Sequence, residues 1–385
     1  MSANVWFITG ATGSLGREIL PRISAADPQA EMVLLVRGAD PEAVEHRLAE
    51  LDRYVRSYWS RPIRPRVTAL QGDVALPRLG LRPAEFNSLA RRVTHIVHAA
   101  ATIHLHAPED EARRINVGGT REVLRLAAGA PRLVRLAHVS TAYVAGDRTG
   151  RILERELREG QRFLNPYEAS KCEAEDLVRR HMDSLPITVF RPSIIVGDST
   201  DGHTCNFATI YFPLRLIARG RVNEIPGPPD APIDLVPVDH VARCIVDLTL
   251  EPRRWSETYH VAAGAERCVP VRDLVEAVRL LAGAPGLPPV RFAPDARAVG
   301  RTAPPDGGPA AAAASPGRAR PLADHFAYLT FPKAFDDAAL ARDFGDAARP
   351  DPRAYLSRVL DFCRATSWGA RLPWEAVPCA TPALN

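Results

Sequence analysis

The sequence predicts an α/β protein in which a doubly wound parallel sheet is followed by a smaller C-terminal subdomain. The first apolar segment, 5–9, runs directly into a glycine-rich turn and then into a helical pattern. Further short apolar segments alternate with helical stretches, as in βα units, at 32–36, 67–70, 93–98, 133–139 and 187–190. At 385 residues, the chain is long enough for one large α/β core and a lesser unit.

The glycine-rich turn has the spacing Gly-x-x-Gly-x-x-Gly at Gly10, Gly13 and Gly16. Gly10 lets the chain turn off the strand, Gly13 lets backbone N–H groups approach a pyrophosphate, and Gly16 lets the next helix pack closely. The N-terminus of that helix directs a partial positive charge toward the anion. A glycine triplet alone can serve only as a turn, but the flanking strands and helix favour a Rossmann-type dinucleotide site.

Two arginines indicate which dinucleotide binds. Arg37 follows the second strand, where the adenosine ribose of a dinucleotide would lie. An acidic residue there would accept from a 2′-hydroxyl, whereas an arginine suits a 2′-phosphate. Arg17, directly after the third glycine, would make a second contact to that phosphate. The sequence therefore favours NADPH over NADH, unless Arg37 is only a surface residue that ends a strand.

Later strand ends supply further cofactor contacts. Asp73 and the backbone of Val74 follow the third strand and would lie near an adenine edge, although a strand-ending turn would also use an aspartate there. The small residues Ala99 and Ala100 follow the fourth strand and would let a cofactor lie across the sheet edge. Pro192 would shape the wall beside the nicotinamide.

The candidate catalytic residues are Thr141, Tyr167 and Lys171. Thr141 ends the fifth strand beside Ser140, and either hydroxyl would hold the oxygen of a substrate. Tyr167 and Lys171 are four positions apart and share one helix face. An ammonium close to a phenol lowers the phenol pKa, which would make Tyr167 a usable acid at neutral pH. This spacing is common by chance, but Lys171 is one of only two lysines in the sequence, the other being Lys333.

Composition argues against several other functions. The net charge of +4 is modest and the arginines are dispersed, so nucleic-acid binding is not expected. No apolar run approaches the ~18 residues of a membrane span, and the chain enters a strand too early for a signal peptide. The six cysteines lack C-x-x-C spacing, and His98, His104 and His106 have no carboxylate or cysteine partners. We therefore expect no metal site and a cytoplasmic location.

The chain divides into two predicted regions. A Rossmann-type domain is expected over 1–270, with a substrate-side excursion at 199–235. Region 271–385 is expected to bind substrate and begins with an amphipathic helix at 271–282. Within it, residues 284–322 are rich in Pro, Gly and Ala and are expected to form a flexible linker.

Together these segments resemble the extended short-chain dehydrogenase/reductase superfamily, and within it the thioester reductase and male-sterility-type fatty acyl reductase branch. The resemblance covers residues 3 to about 270. It is carried by T-G-A-T-G-S-L-G (9–16), V-L-L-V-R (33–37), G-D-V-A-L-P-R-L-G-L (72–81), H-A-A-A (98–101), N-V-G-G-T (116–120), V-S-T-A-Y-V-A-G (139–146), Y-E-A-S-K (167–171) and R-P-S-I-I-V-G-D (191–198).

The resemblance implies NADPH-dependent reduction of an acyl thioester to an aldehyde, with a second hydride giving the alcohol. The thioester would be carried by coenzyme A or by a separate acyl or peptidyl carrier protein. By motif, Thr141 and Tyr167 would hydrogen-bond the carbonyl oxygen, Tyr167 would donate the proton, and Lys171 would bind the nicotinamide ribose and tune Tyr167. The implied cofactor contacts are Gly10, Thr12, Gly13, Ser14, Leu15, Gly16, Arg17, Arg37, Asp73, Val74, Ala99, Ala100, Lys171 and Pro192.

Two other functions remain open at this point. A sugar-nucleotide epimerase or dehydratase, or a hydroxysteroid-type alcohol dehydrogenase, belongs to the same superfamily, and epimerases tend to keep NAD bound through turnover. A non-catalytic NADP-sensing regulator would need only the nucleotide loop. Such regulators typically lose the Tyr–Lys pair, which this sequence retains.

Overall fold

The computed structural model describes residues 3–59, 66–251, 256–281, 289–293, 332–345 and 349–376. The strands are β1 Val5–Thr9, β2 Glu31–Val36, β3 Val67–Gln71, β4 His95–His98, β5 Arg135–Val139, β6 Gly150–Ile152, β7 Ile187–Pro192, β8 Ile194–Val196, β9 Glu224–Pro226, β10 Pro232–Ile233, β11 Leu235–Pro237, β12 Thr258–Val261, β13 Val269–Pro270, β14 Arg291–Ala293 and β15 Lys333–Phe335. The α-helices are α1 Ser14–Ala26, α2 Pro41–Tyr58, α3 Pro83–Arg92, α4 Glu109–Ala112, α5 Gly119–Ala128, α6 Pro166–Arg179, α7 Tyr211–Ala218, α8 Val238–Leu250, α9 Val271–Leu281, α10 Ala338–Phe344 and α11 Pro352–Ala365. Within these ranges, no helix is both long and apolar enough to cross a membrane.

Seven parallel strands form the main sheet, in the order β12-β7-β5-β4-β1-β2-β3. This arrangement confirms the predicted doubly wound α/β fold. β1 pairs with β2 on one side and with β4 on the other, so the strand order reverses there. In open α/β sheets, ligands bind outside the carboxyl ends of the strands at such a reversal.

Helices cover both faces of the sheet, which is why its central strands are apolar throughout. All five residues of β1 are buried. Trp6 and Ile8 belong to one core cluster with residues of α1 and α8, whereas Val5 and Phe7 belong to another with residues of α3 and α5. Alternate residues of a strand point to opposite faces, so one short strand contributes to both layers.

A further apolar cluster joins the excursion, helix α9 and the tail. The predicted excursion 199–235 contributes Tyr211 and Leu214 of α7 to it, and α9 contributes Leu274. Since this packing joins residues on both sides of position 270, the domain boundary placed there remains a prediction.

One part of the predicted linker 284–322 is ordered, contrary to the sequence expectation. Strand β14 pairs in parallel with β9, and Val290 and Phe292 pack against the apolar cluster that contains Tyr211 and Leu274. These two apolar side chains are surrounded by Pro- and Ala-rich sequence, which hides the strand. Residues 284–288 and 294–322 lie outside the described residues.

The tail packs against the main sheet and its core, which the sequence analysis did not anticipate. β15 pairs in parallel with β6. The Tyr259 hydroxyl of β12 donates to Asp343 of α10 at 2.7 Å. Trp374 is buried in the main core, where its ring meets Tyr54 and Tyr58 of α2 with centroids 5.1 and 5.9 Å away.

A buried histidine joins the excursion to α1. The two ring nitrogens of His203 lie 3.1 Å from Glu18 and 2.6 Å from Asp201, and the ring stacks on Tyr58 at 3.8 Å. Burial alone would lower the pKa of His203, but the hydrogen bonds and charges of Asp201 and Glu18 outweigh it and raise the pKa to about 9.

Glu18, His203 and Asp198 also lie close enough to share a metal ion. However, each His203 nitrogen already faces a carboxylate, and Glu18 also accepts from Arg22 and Tyr54. We therefore interpret the group as a hydrogen-bonded ion network.

This network predicts a pH-dependent stability. Because the folded-state pKa of His203 lies above the ordinary 6.5, its stabilisation is fully present below about pH 6.5 and is lost as the pH rises through about 9. A shift of this size corresponds to a free energy on the order of 3 kcal/mol. The free energy of unfolding of His203→Gln, measured by denaturant titration, should fall well below that of the wild type at about pH 6 and approach it above about pH 9.

The matched control is His46→Gln, which replaces an exposed histidine of α2. It should follow the wild type at every pH. A constant difference between wild type and His203→Gln across this range would show that the imidazolium charge does not hold the excursion.

Candidate active site

A cavity of about 280 Å³ lies at the carboxyl ends of β1, β4, β5 and β7. Many of the predicted site residues meet in its wall. They are Gly10, Gly13, Ser14, Leu15, Gly16, Ala99, Thr141, Tyr167, Lys171 and Pro192. The other predicted residues, Thr12, Arg17, Arg37, Asp73, Val74 and Ala100, do not line it.

The three glycines of the turn meet different constraints. Gly10 has φ +77°, and a Cβ there would lie 2.7 Å from Ala100 N. A Cβ at Gly16 would lie 2.2 Å from the carbonyl oxygen of Gly10. At Gly13 the nearest atom would be that same oxygen, at 3.2 Å, and φ is an ordinary −78°. The fold itself thus demands glycine at positions 10 and 16 much more strictly than at Gly13.

The start of α1 fits the pyrophosphate of a dinucleotide. Gly13 is the N-cap residue and supplies no side-chain cap, and the first turn contains no acidic residue. The first backbone N–H groups of the helix therefore remain available to an anion beside an exposed glycine. This accounts for the glycine at position 13.

The three candidate catalytic side chains lie on two elements that adjoin the cavity. Thr141 follows β5 and begins a 3₁₀ helix, Ala142–Ala145, whereas Tyr167 and Lys171 lie on α6. The Lys171 ammonium donates to the carbonyl of Val139, the last residue of β5, at 2.7 Å. The catalytic face of α6 is thereby held against the end of this strand.

The expected tuning of Tyr167 by Lys171 is not what the structure shows. Burial raises the pKa of Tyr167 to about 12. The Thr141 side chain lowers this pKa, but by less than burial raises it. Burial also lowers the pKa of Lys171 to about 8, with the charge of Glu175 opposing. The phenol therefore stays protonated near neutral pH, with the Thr141 side chain as its polar neighbour.

A buried ion pair that the sequence analysis missed supports this site. The Glu175 carboxylate accepts from the Ser140 hydroxyl at 2.7 Å and from Arg191 Nη2 at 2.6 Å. Burial would raise the pKa of Glu175, but Arg191 keeps it below its ordinary value. The sequence did indicate Glu175, since it lies four positions after Lys171, as Lys171 lies four positions after Tyr167. Because Ser140 already donates to Glu175, Thr141 is the better placed of the two hydroxyls.

Asn116 is a second residue without a predicted role. It lies in a π-helix, Arg113–Gly118, a rare form that is frequent at functional sites. Its side-chain amide bonds both backbone groups of Thr102, at 2.9 and 3.2 Å, and donates to the Ser170 hydroxyl at 2.9 Å. Asn116 thus joins the loop after β4 to α6.

The residues predicted to contact the adenosine half of the cofactor differ in burial and in the partners that they bind. Arg37 is exposed one residue beyond β2. Arg17 is buried and ion-paired with Glu50 through one guanidinium nitrogen, and its contact to a 2′-phosphate stays a prediction. The Asp73 carboxylate accepts from Ala75 N–H at 2.9 Å, which is a turn contact, and its approach to adenine stays a prediction.

Comparison with known proteins agrees with this geometry. The model of an NAD-binding family described as male sterility protein matches residues 8–245. The chain belongs to this family. It is an NAD(P)-dependent oxidoreductase of the extended short-chain dehydrogenase/reductase superfamily, in the thioester reductase and male-sterility branch.

Two similar proteins illustrate the range of this branch. Isonitrile lipopeptide synthase of Streptomyces coeruleorubidus is 33% identical over 279 residues, which are 70% of this chain and 18% of that protein. Fatty acyl-CoA reductase wat of Drosophila melanogaster is 25% identical over 306 residues, 70% of this chain and 59% of that protein. The chain therefore spans less than two thirds of either relative.

Among solved structures, the terminal R domain from the myxalamid PKS-NRPS biosynthetic pathway superposes with a TM-score of 0.78 at 26% identity. The match covers 96% of this chain and 92% of that one. It therefore extends beyond the dinucleotide-binding half of the chain.

The glycine geometry predicts different effects for two similar substitutions. Gly13→Ala should keep the melting temperature of the wild type but weaken dinucleotide binding about tenfold or more, because its methyl group obstructs the approach of an anion. Gly16→Ala should lower the stability by about 1–3 kcal/mol, since its methyl group has no room beside Gly10. Thermal unfolding and fluorescence titration with NADPH measure the two effects.

Equal dinucleotide affinity in Gly13→Ala and the wild type would contradict a pyrophosphate site at this turn. A Gly16→Ala protein of unchanged stability would contradict the packing role given to the third glycine.

Proposed function

We propose that this protein uses NADPH to reduce an acyl thioester to an aldehyde and a free thiol. One observation carries the proposal: Thr141, Tyr167 and Lys171 meet the glycine turn in one cavity whose remaining wall is largely apolar. The fatty acyl-CoA reductase and the reductase domain among the similar proteins support it.

The residues of the cavity suit this chemistry. When bound, the dinucleotide supplies a hydride to the thioester carbonyl carbon. The hydroxyls of Thr141 and Tyr167 stabilise the negative charge that develops on the carbonyl oxygen, each donor contributing on the order of 3 kcal/mol. Tyr167 then gives its proton to this oxygen, which yields a hemithioacetal. The hemithioacetal hydroxyl returns its proton to the Tyr167 phenolate as the carbon–sulfur bond breaks, and the departing sulfur takes a proton from solvent, which gives the aldehyde and a free thiol.

Lys171 has a binding role in this proposal. Its ammonium donates to the Val139 carbonyl at 2.7 Å and has further donors, which would hold the hydroxyls of the nicotinamide ribose. The aldehyde is the first product, and a second round of hydride transfer gives the alcohol.

The wall of the cavity favours a neutral acyl group over a nucleotide sugar. Among the described residues that line it, Lys171 is the only charged side chain. A sugar nucleotide would bring a diphosphate that calls for arginine or helix contacts on the substrate side. Ile103, Leu105, Ile194 and Tyr211 instead offer apolar surface to an acyl chain.

A second cavity of about 390 Å³ gives the thioester its route. It shares Ile103, Leu105, Ala208 and Thr209 with the first cavity, so the two are neighbours. Phe207 and Phe212 add aromatic surface. A thioester carried on coenzyme A or on a carrier protein reaches Tyr167 through this opening.

The test of this function is an assay with a panel of acyl-CoA and acyl-carrier thioesters. The nicotinamide absorbance measures the consumption of NADPH, and mass spectrometry identifies the products. Tyr167→Phe should lower kcat at least ~10²-fold, because it removes a positioned acid. Its dissociation constant for NADPH should stay within about twofold of the wild type, since the phenol hydroxyl acts on the substrate.

Tyr259→Phe is the matched control, as it removes a phenol hydroxyl that bonds Asp343 away from the cavity. It should keep the wild-type kcat. A wild type that is silent with every thioester would refute the proposed reaction, and NAD retained by the purified protein would redirect the search to nucleotide sugars.

Arg37 should decide the choice between the two dinucleotides. Arg37→Ser should weaken NADPH binding at least about tenfold and leave NADH binding unchanged, because only NADPH has the 2′-phosphate that a guanidinium would hold. Arg91→Ser replaces another exposed arginine, at the end of α3, and should change neither affinity. Equal losses for NADPH and NADH in Arg37→Ser would contradict this role.

A further inference from the structure

The second lysine of the sequence is buried behind the candidate active site. Lys333 begins β15 and is 6% exposed. Its ammonium donates to the carbonyl of Gly146. Lys171 and Lys333 are the only lysines in the sequence, which otherwise uses arginine. A buried amine at position 333 therefore needs its own explanation.

Gly146 ends the turn that begins with Thr141. The Thr141 hydroxyl accepts from Tyr143 N–H at 3.2 Å, and Gly146 N–H donates to the Tyr143 carbonyl at 3.0 Å. The turn 141–146 is therefore a short closed unit, with Thr141 at one end and the lysine contact at the other. A displacement of Gly146 would be transmitted to Thr141 through Tyr143.

Strand β15 also holds the middle of this turn. The Lys333 Nζ lies 5.7 Å from the centroid of the Tyr143 ring. Phe335, two positions along the same strand face, meets that ring edge-on with centroids 5.6 Å apart. Tyr143 in turn lines the cavity beside Thr141 and Tyr167.

A buried carboxylate explains why a cation is useful here. Glu168 is fully buried on α6 directly after Tyr167, and its charge acts on Lys333. The same carboxylate raises the pKa of both Tyr143 and Tyr167, though less than burial does. A compact ammonium offsets this charge and still fits against a backbone carbonyl, which a planar guanidinium does less well.

We propose that Lys333 is a positioning residue for thioester reduction, which holds the turn 141–146 so that the Thr141 hydroxyl meets the reacting carbonyl. The inference rests on the proposed function. Lys333 itself does not line the cavity. It acts through Gly146 and Tyr143 from a strand that is remote in sequence.

The experiment compares Lys333→Met with the wild type, in the native background and in a Thr141→Val background. Methionine fills similar space without the charge or the donor. In the native background, kcat should fall about tenfold or more, since small misplacements of reacting groups have large effects on rate. The dissociation constant for NADPH should stay close to the wild type, whereas the melting temperature should fall, because the buried Glu168 carboxylate loses a compensating charge. In the Thr141→Val background, the same substitution should lower kcat less than about twofold, because the hydroxyl that Lys333 positions is gone.

Arg151→Met is the matched control. Arg151 lies on β6, the partner of β15, and its exposed guanidinium pairs with Asp336 across the two strands. It should keep the wild-type kcat. If Lys333→Met fails to fold, Lys333→Gln replaces it, with the same expected dependence on Thr141.

The outcomes separate the two proposals. Two outcomes overturn the positioning role alone. In one, the wild type and the Lys333 variant are equally active; in the other, the Lys333 substitution lowers kcat as much in the Thr141→Val background as in the native background. A wild type that reduces no thioester overturns the proposed function and this inference with it.

Discussion

The buried ion pair between Glu175 and Arg191 is the contact on which the site depends. Burying two charges is favourable only when hydrogen bonds satisfy both partners. Glu175 accepts from Arg191, Arg179 and Ser140, and Arg191 also donates to the carbonyls of Glu154 and Glu156. The pair therefore joins α6, the end of β5 and β7, the elements that place Tyr167, Thr141 and Pro192 around one cavity.

The sequence was sufficient for the parts of the molecule that depend on local geometry. The glycine turn between a strand and a helix, the alternation of strands and helices, and the shared face of Tyr167 and Lys171 all follow from backbone periodicity. Since the strands are parallel, residues at their carboxyl ends meet at one edge of the sheet. This is why Ala99, Thr141 and Pro192, from distant segments, were all expected at the edge where the cavity lies.

The contacts that the sequence did not reveal depend on partners far away in the sequence. Arg17 follows the third glycine, and only the fold shows that α2 brings Glu50 to it. Lys171 was expected to lower the pKa of Tyr167. Its ammonium instead donates to the Val139 carbonyl, and burial raises the pKa of Tyr167. β14 was hidden because its pairing with β9 spans dozens of residues of weakly patterned sequence. Local pattern carries no information on such pairings.

The packing of the tail against the main core has a consequence for the order of folding. Gly146 and Lys333 are separated by 187 positions, and Trp374 closes a core whose other members begin at Trp6. During synthesis the amino-terminal segments leave the ribosome first, and non-local contacts form late. The strands of the sheet can pair while the turn that carries Thr141 still lacks its support from β15. The nascent protein is therefore expected to acquire its dinucleotide-binding framework before it acquires a fixed reaction centre.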